Sequence, residues 1–368
     1  MSNYWAVAST ASASAASISG ELISCQAKQP TRARISKLYF ETCMNLKKLF
    51  SAVTILLLFS NFALAQLSPE QETAKEQGLI FYNQLKSVSA TPFLTIAAEA
   101  GDHEAQYFLA ESLRKKNHYM NPESQKWYEA AAEQGDLYAM IQLGRNDDDL
   151  CKKLKNCTSE QKKAVEWLKQ AQSIAKPKAE NGDAESMYIM YELTVDKNWL
   201  KRAAEAGHPI AQYWMGITEK QGEGFFLPWQ RQDSIEKWFK ASAEGGYPKG
   251  MREYAILLGE KNDIEGYRQW NEKSALTGYA STIFEYGSDL AHEPDLYGYP
   301  LDIVKGYALI YLLKELDGGG GMQADVKDQL QKISSKITPE QIIEAKKLAE
   351  TWKAAHPPLS FFPEKLSH

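Results

Sequence analysis

The residues in this chain best placed to do chemistry are a run of three aspartates, Asp147, Asp148 and Asp149, and two cysteines just beyond it, Cys151 and Cys157. Adjacent carboxylates can grip a calcium ion or a basic partner, but a calcium loop spaces its oxygen ligands along about a dozen residues and closes with a Glu. This run does neither, and the expectation is a solvated acidic loop. In an oxidising compartment the two cysteines should pair and close the loop from Lys152 to Asn156. Positions six apart face different sides of a straight helix, so the segment should be a loop. Two free thiols are the alternative; with no histidine nearby, a zinc site is not expected. The histidines, His103, His118, His208, His292, His356 and His368, are scattered, and His103 and His208 stand where helices should start.

The familiar catalytic patterns are missing. There is no H-E-x-x-H, no G-x-S-x-G and no phosphate loop with its Lys-Ser/Thr. Gly222-Glu223-Gly224 reads as a turn, because no strand precedes it. Carboxylate pairs on helices are abundant, so a two-carboxylate hydrolase stays open, although nothing points to it. Such an enzyme would show a deep polar pocket with paired carboxylates of perturbed pKa. No catalytic residue, metal or cofactor is expected.

The elements that would position any site are set by a repeated frame. Gly101, Gly135, Gly182, Gly207, Gly246 and Gly278 each follow an alanine by three residues: Ala98, Ala132, Ala179, Ala204, Ala243 and Ala275. Four residues after each glycine stands a small residue (Ala105, Ala139, Ser186, Ala211, Gly250, Thr282), and eight after it a large one (Leu109, Leu143, Met190, Met215, Tyr254, Tyr286). Spacings between 20 and 50 residues mark stacked-repeat proteins, in which no unit buries its apolar face alone. Glycine just past a helix can take the left-handed conformation that closes it. Asp102, Asp136 and Asp183 then offer N-caps for the next helix, while Pro209 and Pro248 sit at first helical positions. Trp127, Trp199, Trp238 and Trp270 lie eight residues before their glycines and read as core markers. Trp167 lies fifteen before Gly182, which predicts a longer helix opened by the capping box at Thr158 to Gln161, with Pro177 as a kink.

Segments such as Trp127-Tyr-Glu-Ala-Ala-Ala-Glu-Gln-Gly135 and Trp199-Leu-Lys-Arg-Ala-Ala-Glu-Ala-Gly207, followed by Ala211-Gln-Tyr-Trp-Met-Gly216, resemble the Sel-one-like repeat, a relative of the tetratricopeptide repeat. The resemblance spans about Ala97 to Leu313. It implies an all-α fold, a right-handed α-solenoid of stacked antiparallel helix pairs. Two departures stand out. The unit from Gly182 to Gly207 is only 25 residues and calls for an abbreviated second helix; the unit after Gly246 has Gly250-Met251-Arg252-Glu253 where Ala-Gln-Tyr is usual. Beyond the repeats, Asp302 to Leu316 is an apolar helix, Gly318 to Gly321 a break, and the charged stretch from Lys327 to Ala355 a helical cap.

The 368-residue chain is 44% hydrophobic and 24% charged, ordinary for a globular protein. Residues Met44 to Gln66 read as a secretory signal peptide: two lysines, an apolar run too short to span a bilayer, then Ala63-Leu64-Ala65. The expected organisation is an extension over 1–43 upstream of a start at Met44, a signal peptide over 44–65, the solenoid over 66–316 and a helical cap and tail over 317–368. A translated, disordered extension is the alternative for residues 1–43. The expected location is the periplasm of a Gram-negative bacterium. Residues 1–65 take six of the 42 basic and two of the 47 acidic residues, leaving a net charge of −9 beyond them. That sign disfavours nucleic acid and anionic membrane, and suits a basic protein partner or plain solubility.

Stacked helix pairs bind partners through a concave surface. Contact residues are expected where units depart from the pattern: Asp147 to Asp149 in the acidic excursion, the loop with Phe225, Phe226 and Trp229, and the linker with Tyr297 and Tyr299. Phe225, Phe226 and Trp229 could equally pack beneath an irregular loop. The resemblance implies two roles for a periplasmic member: an immunity protein that occludes a toxic effector, for instance one delivered by type VI secretion, or an envelope adaptor. A lactam-binding or lactam-hydrolysing enzyme is the weaker third. The free chain is expected to be a monomer.

Overall fold

The computed structural model describes residues 67–146, 164–224, 227–316 and 321–366, within the compact unit Ala65–His368. Residues 1–66, with the expected signal peptide, Asp147 to Asp149, Cys151, Cys157, the expected capping box at 158–161, Phe225 and Phe226 lie outside the described residues. Sixteen α-helices follow one another among those described. They are α1 (Pro69–Asn83), α2 (Ser87–Glu99), α3 (His103–Asn117), α4 (Pro122–Glu133), α5 (Leu137–Arg145), α6 (Ala164–Glu180), α7 (Ala184–Thr194) and α8 (Lys197–Glu205). The second half holds α9 (Pro209–Lys220), α10 (Pro228–Glu244), α11 (Pro248–Glu260), α12 (Ile264–Ala275), α13 (Ala280–Leu290), α14 (Ile303–Leu312), α15 (Gln323–Ser334) and α16 (Pro339–Ala355).

One junction, repeated, builds the stack. At Gly101 the backbone has φ +94°, its N–H donates to Ala98 C=O, and the N–H of Asp102 donates to Ala97 C=O. This satisfies the carbonyls that end α2. Asp102 is at once the N-cap of α3, accepting from the Ala105 N–H at 2.7 Å. One residue thus closes one helix and opens the next, forcing a tight antiparallel pair. The other five frame glycines have φ between +86° and +99°.

From α1 to α15 each helix packs on its sequence neighbours, while α16 packs back on α14; contacts of α1 with α3, α5 with α7 and α9 with α11 place these odd-numbered helices in one layer. The short α8, nine residues, accommodates the 25-residue unit. Gly250 has a local reason: a Cβ there would lie 2.2 Å from Ser242 Oγ, which donates to Pro209 C=O. Equivalent sites pair alanine with alanine (Ala97 with Ala105, Ala131 with Ala139), so the glycine makes room for a hydroxyl.

The tryptophans correct an expectation. Trp238 is buried, but Trp127, Trp199 and Trp270 are half-buried, and the next residue, Tyr128, Leu200, Phe239 or Asn271, is the one fully enclosed. The indoles lie at the seam's edge with a cation over the ring: Lys126 over Trp127, Arg202 over Trp199, Lys237 over Trp238 and Lys273 over Trp270, at 4.1–4.9 Å. A cation over the ring face is attracted by the ring quadrupole, and even the buried Trp238 keeps one.

The superhelix curls until its ends meet. Gln84 Nε2 donates to Glu315 Oε1 at 3.2 Å, and Lys86 Nζ donates to Glu315 C=O at 2.5 Å. The odd-numbered layer forms the inner side, where C-terminal residues bond the end of α1 and the start of α13.

Candidate functional site

Pro357 and Pro358 end α16, and His356 before them is extended, as a residue preceding proline prefers. Residues 357–366 then run as a strap across the inner layer. Ser360 N–H donates to Gly278 C=O and Ala280 N–H to Ser360 C=O, both at 2.9 Å, as one parallel bridge. The next amide, Phe361 N–H, donates to Asn83 C=O at 2.9 Å, so adjacent strap residues bond the last repeat and the first hairpin.

The strap's side chains have built seats. Glu364 accepts from Trp214 Nε1–H at 3.0 Å and from the Tyr247 hydroxyl at 3.4 Å, with Lys249 Nζ 3.7 Å away. Burial, and then the Glu364 charge, push the Tyr247 hydroxyl pKa well up, so it stays a donor. Lys365 places its ammonium 4.8 Å from the Tyr138 ring centre, and its C=O accepts from the Tyr107 hydroxyl. Leu366 is buried in the cluster that includes Tyr107 and Phe108. Phe362 packs edge-on to Tyr279, rings 5.9 Å apart, with its backbone at φ +46°. A left-handed phenylalanine is strained, and the packing holds it there. Beside the strap a cleft of about 530 Å³ stays open, lined by Tyr138, Glu185, Tyr188, His208 and Ile210. There the His208 ring bonds Glu185 at 2.8 Å, and this bond holds the Glu185 carboxyl below its usual pKa. His208 Nδ1 accepts from Ala211 N–H as the cap of α9.

Three helix caps carry this groove. Where α3, α5 and α7 have Asp, α9, α11 and α13 have His208, Tyr247 and Tyr279; the two tyrosines make no side-chain cap bond. Each missing cap costs about 1 kcal/mol. The rings instead line the cleft or hold the strap. Sequence reasoning missed the strap, read His208 only as a helix start and Pro248 as a first helical position, and did not single out Tyr279; the change from Asp to three aromatic rings was the available signal.

A second cleft, about 620 Å³, lies against α13. Glu285 and Asp289, four apart, share its wall. Burial raises both pKa values, that of Asp289 to about 7. Glu285 Oε1 accepts from Arg252 at 2.8 and 2.6 Å; Asp289 Oδ2 accepts from the Tyr267 hydroxyl at 2.9 Å and Asn271 Nδ2 at 3.4 Å. Asp289 can hold and release a proton near neutrality.

Of the residues picked from the sequence, Tyr297 stacks on Tyr267 with ring centres 3.5 Å apart. Tyr299 is buried, its hydroxyl donating to Arg268 C=O at 3.2 Å. Both hold the linker onto α12, and neither reaches the strap. Trp229 falls in the first turn of α10; its side chain lies outside the described residues.

Fold and groove together define an all-α solenoid of helix pairs that holds an extended segment of its own chain on its inner face. No family model matches the chain, and none of the curated proteins does. Among solved structures it is similar to c5321, a protective antigen of uropathogenic Escherichia coli displaying an SLR fold (17% identity, 79% of this chain, 62% of that one, TM-score 0.44). It is also similar to a Sel1 repeat protein from Oxalobacter formigenes (20% identity, 62% and 94%, TM-score 0.36) and to Pseudomonas aeruginosa pilF (14%, 73% and 98%, TM-score 0.26). The chain spans about three fifths of the length of c5321. The architecture stands on the helix contacts and junctions described above.

Proposed function

We propose that this is a non-catalytic protein-binding repeat protein whose inner groove receives polypeptide from a partner. One observation carries the reading: α3, α5, α9 and α11 and the cap of α13 already seat a segment of chain, residues 360–366, through backbone bonds, a carboxylate seat and a cation seat. Extended peptides are bound in this way, with main-chain bonds for affinity and side-chain pockets for specificity.

Within that class the narrower reading is an immunity protein that occludes a basic toxic effector in the periplasm. The leader-like segment over 44–65 and the net charge of −9 beyond it support this. An envelope adaptor would use the same groove. The test is affinity capture with residues 66–368 against periplasmic and secreted fractions of the source strain. A single stoichiometric partner whose activity is lost in the complex is expected; several envelope proteins would favour the adaptor, and no protein at all would sink the binding reading.

The Glu285–Asp289 cleft favours a second reading, an acid–base enzyme, with lactams as the substrates to try. Tyr267, Asn271 and Arg252 account for both carboxylates as structural bonds, which places it behind. Lactam turnover that disappears in Asp289→Asn would reverse the order.

A further inference from the structure

The strap is bound as a ligand would be bound, and this bears on what the groove accepts. Backbone groups of the repeats hold Ser360 and Phe361, and side chains of the repeats seat Phe362, Glu364, Lys365 and Leu366. The order of the seats is specific. Tyr279 takes an aromatic ring, and Trp214, Tyr247 and Lys249 surround one carboxylate. The Tyr138 face takes an ammonium, with the carboxylates of Asp136 and Glu185 adding a favourable field, and a buried site takes an aliphatic side chain. Exchanging acid and base would bring Lys249 against a cation and Glu185 against an anion, so the seats read direction as well as composition.

The strap's main-chain bonds are concentrated at one end, and its other end is held by side chains. Among residues 357–366, backbone–backbone bonds to the repeats are made at Ser360 and Phe361. Phe362 is held in a left-handed conformation that relaxes on release. The open cleft beside Phe362 to Leu366 gives an incoming chain a place to start.

Resting on the protein-binding reading above, we propose that the strap is an intramolecular stand-in for the partner. The groove takes a partner segment with an aromatic residue and, two positions on, an acidic, a basic and an aliphatic residue in succession, as in Phe362 to Leu366, and the strap must leave before that segment is seated. Apparent affinity in trans is then the intrinsic affinity reduced by the fraction of molecules whose strap is off. The strap tunes the groove so that only a segment better matched than residues 362–366 displaces it.

The probe is a fluorescent peptide with the sequence of residues 357–366, read by anisotropy against the purified wild type and a Glu364→Lys/Leu366→Asp variant. Those substitutions loosen the strap and leave every groove residue in place. The peptide should bind the variant about tenfold or more tighter than wild type, and a peptide with Glu and Lys exchanged should lose that binding. Equal binding to both proteins, or none to a variant with wild-type helicity, overturns the proposal. In case the variant misfolds, the same question is put to ¹⁵N-labelled wild type. Excess unlabelled peptide should speed hydrogen exchange at Ser360 and Phe361 without changing the helices; unchanged exchange there is a failure. Concentration-dependent dimers of the wild type that disappear in the variant would make the occupant a second copy's strap and sink the partner-segment reading. If the peptide fails while affinity capture still recovers a stoichiometric partner, this inference falls and the protein-binding reading stands; if capture yields nothing, the protein-binding reading falls and this inference falls with it, and peptide binding then shows only that the strap is displaceable.

Discussion

Two glycines that look identical in sequence should respond differently to alanine. Gly135 and Gly278 have φ +94° and +86°, so a Cβ at either imposes left-handed strain of about 1–2 kcal/mol. At Gly135 nothing lies within 4 Å of that Cβ, and strain is the whole penalty. At Gly278 the Cβ would sit 2.4 Å from Pro358 O and 3.0 Å from Pro357 O, backbone atoms that cannot rotate away. The strap has to lift. Lifting it here breaks the two bonds between Ser360 and the Gly278–Ala280 turn, about 1 kcal/mol each. It also re-exposes part of Leu359, now 8% exposed, at about 1–2 kcal/mol. Gly278→Ala should therefore cost about 3–4 kcal/mol more than Gly135→Ala in urea unfolding. A local assay separates strap release from general weakening. Trypsin should cut after Lys365 readily in Gly278→Ala and slowly in both wild type and Gly135→Ala. Equal unfolding costs together with equal cleavage would refute the claim that the repeat glycine and the strap share this contact.

Two other outcomes follow from buried groups. Asp289 rises from 3.8 to about 7 on folding; its contribution to stability is complete below pH 3.8 and is lost as pH rises through 7. Wild type should lose about 2 kcal/mol relative to Asp289→Asn between pH 5 and pH 8, measured by urea unfolding at each pH; a pH-independent difference would mean that Asp289 is charged throughout. Gly250→Ala forces a methyl onto Ser242 Oγ at 2.2 Å, and overpacking there should cost about 1–3 kcal/mol, whereas Ala211→Gly at the equivalent place should show only the helix-propensity loss of about 1 kcal/mol plus that of one buried methyl.

The helix pairs were legible because each junction answers a local need. A glycine closes a helix, an Asp or a Pro opens the next, and a small residue four later, such as Ala105 or Ala139, lets the two helices touch; all of this is decided within about ten residues. The groove was not legible because its members are assembled by curvature. Asn83 and Gly278 are far apart in sequence, yet Phe361 and Ser360 bond one each. That closure results from small rotations accumulated over all the repeats, which no single frame encodes. Tyr297 and Tyr299 attracted notice as aromatics in a linker, but the same aromatic character serves to pin that linker onto Tyr267 and Arg268. Trp127 and Trp199 misled in the same way: period alone does not distinguish a residue at the centre of a seam from one at its edge, one position away.

The inner layer also explains why a strap exists at all. Tyr107, Tyr138, Trp214, Tyr247 and Tyr279 point towards a common interior, and contiguous apolar surface left bare there would invite indiscriminate association. A segment of the same chain that covers those rings with weak, specific contacts removes the hazard without sealing the groove. Its charged residues matter as much as its apolar ones. A strap of only Phe and Leu would be hard to dislodge, whereas Glu364 among Trp214, Tyr247 and Lys249 loses and regains partners when exchanged for another carboxylate, at little net change. The energetics of displacement then reduce to how well a partner's aromatic and aliphatic residues fill what Phe362 and Leu366 vacate, together with the open cleft beside them. Selectivity among partners sharing the charge pattern should accordingly track apolar fit in the space bounded by Tyr188, His208 and Ile210, which the strap leaves unfilled.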